Sequence, residues 1–276
     1  MEIRLAKSYG FCFGVKRAIE LAENIKDATT IGPLIHNDEE INRLKEGFNV
    51  TTACGIDDIG GAKKTIIRTH GIEKGDLAKL EKMEVEIVDA TCPFVKNPQK
   101  IVKMMSEDGY TIVIFGDENH PEVKGVRSYS ISEPFVVMST KELDIKKLGK
   151  RVAIISQTTR KPSEFLKIVD YLVLRVSEVR VFNTICNATF ENQDAVKELA
   201  CEADVMIVIG GRSSSNTKQL LTISKEICSD SYLIENDKEL DKNWFKNKKI
   251  CGISAGASTP DWIIKRVTSK IKEICV

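Results

Sequence analysis

Short apolar runs alternate with longer amphipathic stretches along almost the whole chain. The clearest runs are YTIVIF at 110–115 and ADVMIVI at 203–209, and each ends in a loop of glycine and small polar residues. An apolar run of this length bounded by turn residues is typical of a buried strand, and the stretches between the runs have helical periodicity. Strands that alternate with helices predict parallel sheets covered by helices, so we expect an α/β fold.

The same arrangement occurs three times. In each copy a cysteine precedes a helix pattern, and a strand then runs into a glycine-containing loop. The glycines Gly32, Gly116 and Gly210 follow their cysteines Cys12, Cys92 and Cys186 by 20, 24 and 24 residues. Such an even register indicates three copies of one structural unit.

A second apolar strand in each copy breaks into another polar loop, at 68–71, 156–159 and 254–258. We therefore predict three lobes in pseudo-threefold arrangement, each a small, mainly parallel sheet flanked by helices, around a central site. The predicted lobes are 1–91, 92–185 and 186–276. The third copy lacks a last strand, and the N-terminal strand EIRLA is expected to fill that place.

Composition excludes several functional classes. The 276 residues include 41 basic and 40 acidic side chains, a balance that gives no sign of a nucleic-acid surface or a polybasic membrane patch. No apolar run approaches the ~20 residues that a membrane helix needs, and the N-terminal residues lack the apolar core of a signal peptide. We expect a cytoplasmic protein with no nucleic-acid or membrane partner.

Eight cysteines in a reducing compartment are expected to be thiols or metal ligands. Five are interpreted as small buried hydrophobic residues: Cys54, Cys201, Cys228, Cys251 and Cys275. The other three stand where a strand passes into a helix, and the N–H groups and dipole of a helix N-terminus favour an anionic sulfur.

Cys12, Cys92 and Cys186 are therefore interpreted as three ligands of one metal centre. The chain has no CxxC pair of the kind common in structural zinc sites and ferredoxins. Three cysteines around a [4Fe–4S] cubane would leave one iron open to bind a substrate oxygen. The alternatives are a Cys3His zinc site, or cysteines at helix starts that merely reflect the ancestry of the repeats.

Small polar side chains are gathered in the same set of predicted strand-end loops. All three histidines of the chain fall there, with a group of hydroxyls and an amide: His36, His70, His120, Ser214, Ser215, Asn216 and Ser258. Because the carboxyl ends of parallel strands share one edge of a sheet, these side chains are expected to form an anion cradle suited to a diphosphate. Taken singly, each serine or asparagine could equally be an ordinary helix cap or turn residue.

Glu122 follows His120 and Pro121 at a strand end, and Thr158 lies in the second loop of the same copy. A carboxyl group there could deliver protons while a hydroxyl leaves as water, with Thr158 orienting that hydroxyl. A glutamate after a proline is also a common residue in the first turn of a helix.

These residues together resemble the 4-hydroxy-3-methylbut-2-enyl diphosphate reductase family, the iron–sulfur enzymes that end the non-mevalonate (MEP/DOXP) isoprenoid pathway. The similarity spans essentially the whole chain through nine short motifs in order: GFCFGV, HN at 36–37, HG at 70–71, DATCP, HPEV, QTT, CNAT, SSN and AGAS-P. An ordered series of this kind is far more specific than any one of its motifs.

The resemblance implies an oxidoreductase with a [4Fe–4S] cluster on Cys12, Cys92 and Cys186, and with one iron left open. It implies that the seven cradle residues hold an allylic diphosphate, that Glu122 is the proton donor, and that Thr158 lies near the substrate hydroxyl. The implied reaction removes that hydroxyl with two electrons and two protons, and yields isopentenyl and dimethylallyl diphosphates. The implied electron donor is ferredoxin or flavodoxin.

One position departs from the family pattern, because Asn192-Gln193 stands where the family usually has Arg-Gln. Two other functions stay open on the residues alone. A dehydratase would use the open iron only as a Lewis acid, and would not depend on a one-electron donor. An iron–sulfur redox sensor or anion-binding protein would need the cluster but not Glu122 or Thr158.

Overall fold

The computed structural model describes residues 1–144 and 147–275. Three four-stranded sheets form the framework, and every strand pairing among these residues is parallel. Helices connect and flank the strands. The predicted α/β class with three small parallel sheets is confirmed.

The strands in chain order are β1 (Glu2–Leu5), β2 (Ala28–Ile31), β3 (Val50–Ala53), β4 (Lys64–Ile67), β5 (Glu86–Asp89), β6 (Thr111–Phe115), β7 (Phe135–Val137), β8 (Arg151–Ser156), β9 (Glu178–Val181), β10 (Val205–Ile209), β11 (Ser231–Ile234) and β12 (Ile250–Ala255). The α-helices are α1 (Phe13–Ile25), α2 (Asp38–Phe48), α3 (Lys74–Leu80), α4 (Pro93–Glu107), α5 (Pro121–Arg127), α6 (Pro162–Val173), α7 (Asn187–Ala200), α8 (Ser215–Ile227) and α9 (Asp261–Ile274). Short 3-10 helices cover Ile56–Asp58, Thr140–Glu142, Asp237–Glu239 and Lys242–Phe245.

The three sheets share one strand order. It is β3-β2-β4-β5 in the first, β7-β6-β8-β9 in the second and β11-β10-β12-β1 in the third. In each sheet the chain runs from the first inner strand to the edge strand beside it, and then crosses to the second inner strand on the other side. The N-terminal strand β1 pairs with β12, with Glu2 opposite Ile250.

The chain divides into two compact units that do not follow the order of the sequence. The first unit contains Met1–Lys16, Ile35–Gly47 and the chain from Asn187 onward, and it includes the sheet with β1. The second contains Arg17–Leu34 and Phe48–Cys186, and it includes the other two sheets. The division into three lobes at 91 and 185 stays a prediction.

The central strand β10 explains how the first unit is held together. All five of its side chains are fully buried, because helices cover both faces of the sheet. Val205, Ile207 and Ile209 pack into one cluster with the apolar face of α9, while Met206 and Val208 pack into another with α7 and α8. The second unit has corresponding clusters around its own sheets. Among the residues placed in the structure, no helix is both long enough and apolar enough to cross a membrane.

Candidate active site

Each of the three predicted ligand cysteines lies immediately before a helix. Helices α1, α4 and α7 begin one residue after Cys12, Cys92 and Cys186. In all three the N–H of the cysteine donates to a carbonyl in a strand-end loop, and the three acceptors are Ala257, Thr69 and Thr158, at 3.2, 3.0 and 3.0 Å. The repeat therefore fixes each cysteine at the carboxyl end of a sheet by the same contact.

The three thiols also suit a metal centre chemically. None of the eight cysteines, all of which lie in the described residues, forms a disulfide, and these three are partly exposed. Each is presented by a helix N-terminus, where the backbone N–H groups favour a thiolate. Cys12 belongs to the first unit, whereas Cys92 and Cys186 belong to the second. The gathering of the three sulfurs on one cofactor stays a prediction.

In the second unit, Glu122 is almost completely buried and is held at both carboxylate oxygens by one residue. The backbone N–H of Thr158 donates to Oε1 at 2.7 Å, and the Thr158 hydroxyl donates to Oε2 at 2.7 Å. Glu122 lies in the first turn of α5, where its own N–H donates to Nδ1 of His120 at 3.2 Å. The two residues assigned to the chemistry are thus in direct contact.

Burial raises the pKa of Glu122, because the charged form loses its hydration in this site. The two hydrogen bonds from Thr158 and the charge of Arg160 act in the opposite direction. The net direction is upward, so the carboxyl group retains a proton at higher pH than an exposed glutamate would. A buried acid with a raised pKa is suited to proton donation.

Arg160 is a buried cation near Glu122 that the sequence did not reveal. It is 7% exposed, and burial lowers the pKa of its guanidinium, while the charges of Asp117 and Glu122 partly restore it. Its Nε donates to Oε1 of Gln157 at 3.1 Å, and the same oxygen accepts the N–H of Asp117 at 3.1 Å. Gln157 belongs to the QTT motif, which marked this loop in the sequence, but the motif ends before Arg160.

His70 and His120 lie together in the second unit. Their rings meet edge to face with centroids 5.5 Å apart. His120 also caps α5, whereas His70 follows Thr69, whose hydroxyl donates to the Leu34 carbonyl at 2.9 Å. Both imidazoles are therefore positioned at strand ends, as predicted for cradle residues.

His36 lies in the first unit, at the start of the segment that leads into α2. Its carbonyl accepts a hydrogen bond from the Ser258 hydroxyl at 3.1 Å, and its Nδ1 lies 3.4 Å from the hydroxyl of Ser213. The next residue, Asn37, caps α2 by accepting the N–H of Glu40 at 3.0 Å. Two strand-end loops and a helix cap thus position this histidine.

The start of α8 carries three of the residues predicted for the cradle. Ser214 caps the helix by accepting the N–H of Thr217, and Ser215 is its first residue. Asn216 is 4% exposed, yet within the described chain neither its amide oxygen nor its amide nitrogen has a hydrogen-bond partner. Buried amides are normally paired, so this one is available to a ligand.

The unusual residue Asn192 has a structural partner. Its buried Oδ1 accepts a hydrogen bond from the Ser8 hydroxyl at 2.7 Å. Ser8 lies between β1 and Cys12, so this contact ties helix α7 to the segment that carries Cys12.

The interpretation of the other five cysteines as buried hydrophobic residues is right for Cys228 and Cys251 and wrong for Cys54 and Cys201. Cys54 is exposed in the loop after β3, Cys201 is exposed directly after α7, and Cys275 is partly exposed.

Comparison with known proteins gives matches over almost the entire chain. The model of the LytB protein family matches residues 3–272. The 4-hydroxy-3-methylbut-2-enyl diphosphate reductase of Campylobacter curvus is 64% identical over 273 residues, which are 99% of this chain and 100% of the relative. The protein of the same name from Campylobacter concisus is 62% identical over 274 residues, again covering 99% and 100%.

Two solved structures are also similar. One is a structure of (E)-4-hydroxy-3-methyl-but-2-enyl diphosphate reductase, described as the terminal enzyme of the non-mevalonate pathway. It is 43% identical with a TM-score of 0.72, covering 99% of this chain and 100% of its own. The other is the E-1-hydroxy-2-methyl-but-2-enyl-4-diphosphate reductase of Plasmodium falciparum, 26% identical with a TM-score of 0.90, covering 97% and 87%.

Proposed function

This chain belongs to the LytB protein family, and from that membership we infer that it is a 4-hydroxy-3-methylbut-2-enyl diphosphate reductase. The enzyme catalyses the last step of the non-mevalonate isoprenoid pathway. It reductively dehydroxylates (E)-4-hydroxy-3-methylbut-2-enyl diphosphate to isopentenyl and dimethylallyl diphosphates. The carbon–oxygen bond breaks, two electrons and two protons are consumed, and the hydroxyl leaves as water.

The contact between Glu122 and Thr158 is the observation that carries this function. A buried carboxyl group with a raised pKa is a proton donor, and both of its oxygens are aligned by one threonine. In our proposal the Thr158 hydroxyl orients the substrate hydroxyl, and Glu122 supplies the proton that converts it to water. Arg160 behind this pair limits how tightly Glu122 holds that proton.

The diphosphate is assigned to the cradle residues named from the sequence: His36, His70, His120, Ser214, Ser215, Asn216 and Ser258. The unpartnered amide of Asn216 and the paired rings of His70 and His120 support this assignment. Hydrogen bonds to a charged group contribute about 1.5–3 kcal/mol each, so several neutral donors suffice without a lysine cluster. The N-terminus of α8 adds backbone N–H groups of the kind that bind phosphates.

The cofactor proposed for Cys12, Cys92 and Cys186 is a [4Fe–4S] cluster with one iron that has no protein ligand. Each of the three cysteines lies directly before a helix, and all three thiols are partly exposed. Both observations support this donor set. When bound, such a cluster supplies electrons and a Lewis-acidic iron. We propose ferredoxin or flavodoxin as the electron donor and the cytoplasm as the compartment.

Anaerobic purification with iron and sulfide quantified, followed by a donor-coupled assay on the diphosphate alcohol, tests the function. We expect four irons and four sulfides per chain for the proposed cluster, and formation of both diphosphate products that depends on reduced ferredoxin or flavodoxin. Product formation without any donor would instead indicate a dehydratase. A loaded cluster with no product under a reduced donor would indicate a sensor or anion-binding protein.

A further inference from the structure

The sheet β3-β2-β4-β5 has an open crevice at the point where its strand order reverses. The chain passes from β2 to β3 on one side and then to β4 on the other. In open parallel sheets, ligands bind outside the carboxyl ends of the strands at such a reversal. A cavity of about 260 Å³ lies there, lined by the residues that follow β2, β3 and β4 and by the start of α5.

The glycine that follows the first inner strand of each sheet packs closely against a side chain. A Cβ added to Gly116, after β6, would lie 3.0 Å from Cβ of Gln157. One added to Gly210, after β10, would lie 2.7 and 2.8 Å from the hydroxyls of Thr217 and Thr259. Their counterpart after β2 is Gly32, whose Cβ would lie 2.9 Å from Cζ of Arg68. In the first sheet that close neighbour is a charged guanidinium group, whereas in the other two sheets it is an uncharged side chain.

Within the part of the chain that the structure describes, the guanidinium of Arg68 has no counter-ion. Among the described residues its side chain takes part in no hydrogen bond and no ion pair, and burial alone lowers its pKa, without any carboxylate that opposes the shift. A guanidinium presents five N–H donors in a fork that matches the oxygens of a carboxylate or a phosphate. A partly buried fork in a cavity is set up to bind an anion.

Two cations and two acids line the cavity, Arg68 and Lys124 against Glu73 and Asp76, and both Lys124 and Glu73 are exposed. Lys124 lines the cavity, and its side chain has no partner in the described part of the chain. Of the two acids, Asp76 forms an ion pair with Lys79 at 3.3 Å, and Glu73 is exposed. Neither acid pairs with Arg68 within the described residues, so the partly buried guanidinium is left to attract an anion.

We propose that this crevice, which is lined by residues adjoining His70 and His120 but not by the two histidines themselves, is a second anion site, and that it takes a small oxyanion on the fork of Arg68. The cavity volume is below the 300–1,000 Å³ typical of drug-sized ligands, so the occupant is a phosphate, a diphosphate or a short dicarboxylate. The proposal does not depend on the reaction that the enzyme catalyses.

Arginine-selective dicarbonyl labelling of the full-length protein, followed by peptide mass spectrometry, locates the bound anion. Inorganic phosphate, diphosphate and succinate are the three probes, each compared with chloride at equal ionic strength. We expect phosphate-type or carboxylate probes to slow labelling of Arg68 about tenfold, and the probe that protects best identifies the chemical class. Arg175, which is exposed and stacks on Tyr171, is the internal control and should label at an unchanged rate.

Titration calorimetry with the protecting anion completes the test. Arg68→Met should lose one anion-binding site. Arg68→Lys should bind the anion with about tenfold lower affinity, because the guanidinium fork is lost. The matched variant Arg175→Met should bind the anion as the wild type does. An Arg68 labelling rate that no oxyanion changes, or an Arg68→Met protein with unaltered binding, overturns the proposal.

Discussion

Glu122 is the residue on which the proposed chemistry depends most directly. Its carboxyl group is buried, and its two oxygens accept hydrogen bonds from a single neighbour, Thr158. The same burial that raises its pKa shields its carboxyl group from bulk water. A substitution that keeps the shape of the side chain but removes its acidic proton therefore tests the proposed proton-donor role.

Glu122→Gln should retain the iron and the affinity for the substrate but reduce turnover about 10²–10⁴-fold, the range typical of a lost general acid. Steady-state turnover with a reduced donor, iron content and substrate affinity are the measurements. Glu118→Gln is the control, because Glu118 lies exposed in the loop that leads into α5. Near-normal turnover in Glu122→Gln would refute the proton role.

Arg160→Gln should move the basic limb of the pH–rate profile to higher pH. Glu122 must be protonated to act, so activity falls as the pH rises through its pKa, and the Arg160 charge keeps that pKa lower than burial alone would. Removing the charge therefore extends activity upward in pH. The other titratable groups around this pair are Asp117 and His120, and neither is changed. Arg175→Gln should leave the profile in place, and a downward shift in Arg160→Gln contradicts the assignment.

Asn216→Leu should weaken substrate binding while leaving the fold as stable as before or slightly more stable. Its buried amide has no partner in the described chain, and an apolar side chain removes the cost of leaving such a group unpaired, about 1–3 kcal/mol. We expect KM to rise at least about tenfold and the melting temperature not to fall.

Ser224→Ala is the matched control for Asn216, since Ser224 lies on the same helix, is fully buried and also has an unpartnered side-chain oxygen within the described chain. It should stabilise the protein without changing KM. A KM that is unchanged in Asn216→Leu, or raised equally in Ser224→Ala, removes Asn216 from the substrate site.

At the scale of elements, the hydrophobic pattern predicted the inner strands and the helices that follow the cysteines. The edge strands β3, β7 and β11 were not predicted, because the prediction rested on the repeated cysteine, glycine and polar-loop motifs and none of these motifs includes them. A strand such as Val50–Ala53, VTTA, has no apolar run of its own and forms because β2 offers it a partner. Sheet edges depend on tertiary pairing that the local pattern does not encode.

The candidate site shows the same limit. The loops that contain the cysteines, the histidines and Glu122 were predicted because these residue types can bind metals or transfer protons and because they recur at strand ends. Arg160 and Arg68 were missed, since an arginine in a sequence is normally a solvated surface residue. Their importance comes from burial without a carboxylate directly bonded to them, which only the packed structure reveals.

The contact between Ser8 and Asn192 gives a prediction at this scale. Each of Ser8→Ala and Asn192→Ala should lower the free energy of unfolding by about 1 kcal/mol, because a partly buried hydrogen bond is lost. The double variant should lose less free energy of unfolding than the sum of the losses in the two single variants, as expected for residues that share one interaction. Urea denaturation of the four proteins measures this, and strict additivity would show that the two side chains act independently.

For the whole molecule, the pairing of β1 with β12 closes the first unit. Deleting residues 1–5 should lower its stability by about 2–3 kcal/mol, because Ile3 leaves its core cluster and β12 loses a neighbour. Hydrogen exchange should become faster at Ile250–Ala255. Deleting Met1 alone is the control, since Met1 precedes β1 and is exposed. Unchanged exchange in β12 after the larger deletion would contradict this role of β1.

The same pairing constrains how the protein is made. Glu2 faces Ile250, so a strand near the start of the nascent chain has no partner until β12 has emerged from the ribosome. Contacts between such distant segments form late, because a very long loop must close first. Cys12 is held between β1 and α1, whereas Cys92 and Cys186 belong to sheets whose strands are complete by Val181. The thiol translated first is therefore the last to be fixed, and loading of a cofactor that needs all three must follow translation of β12.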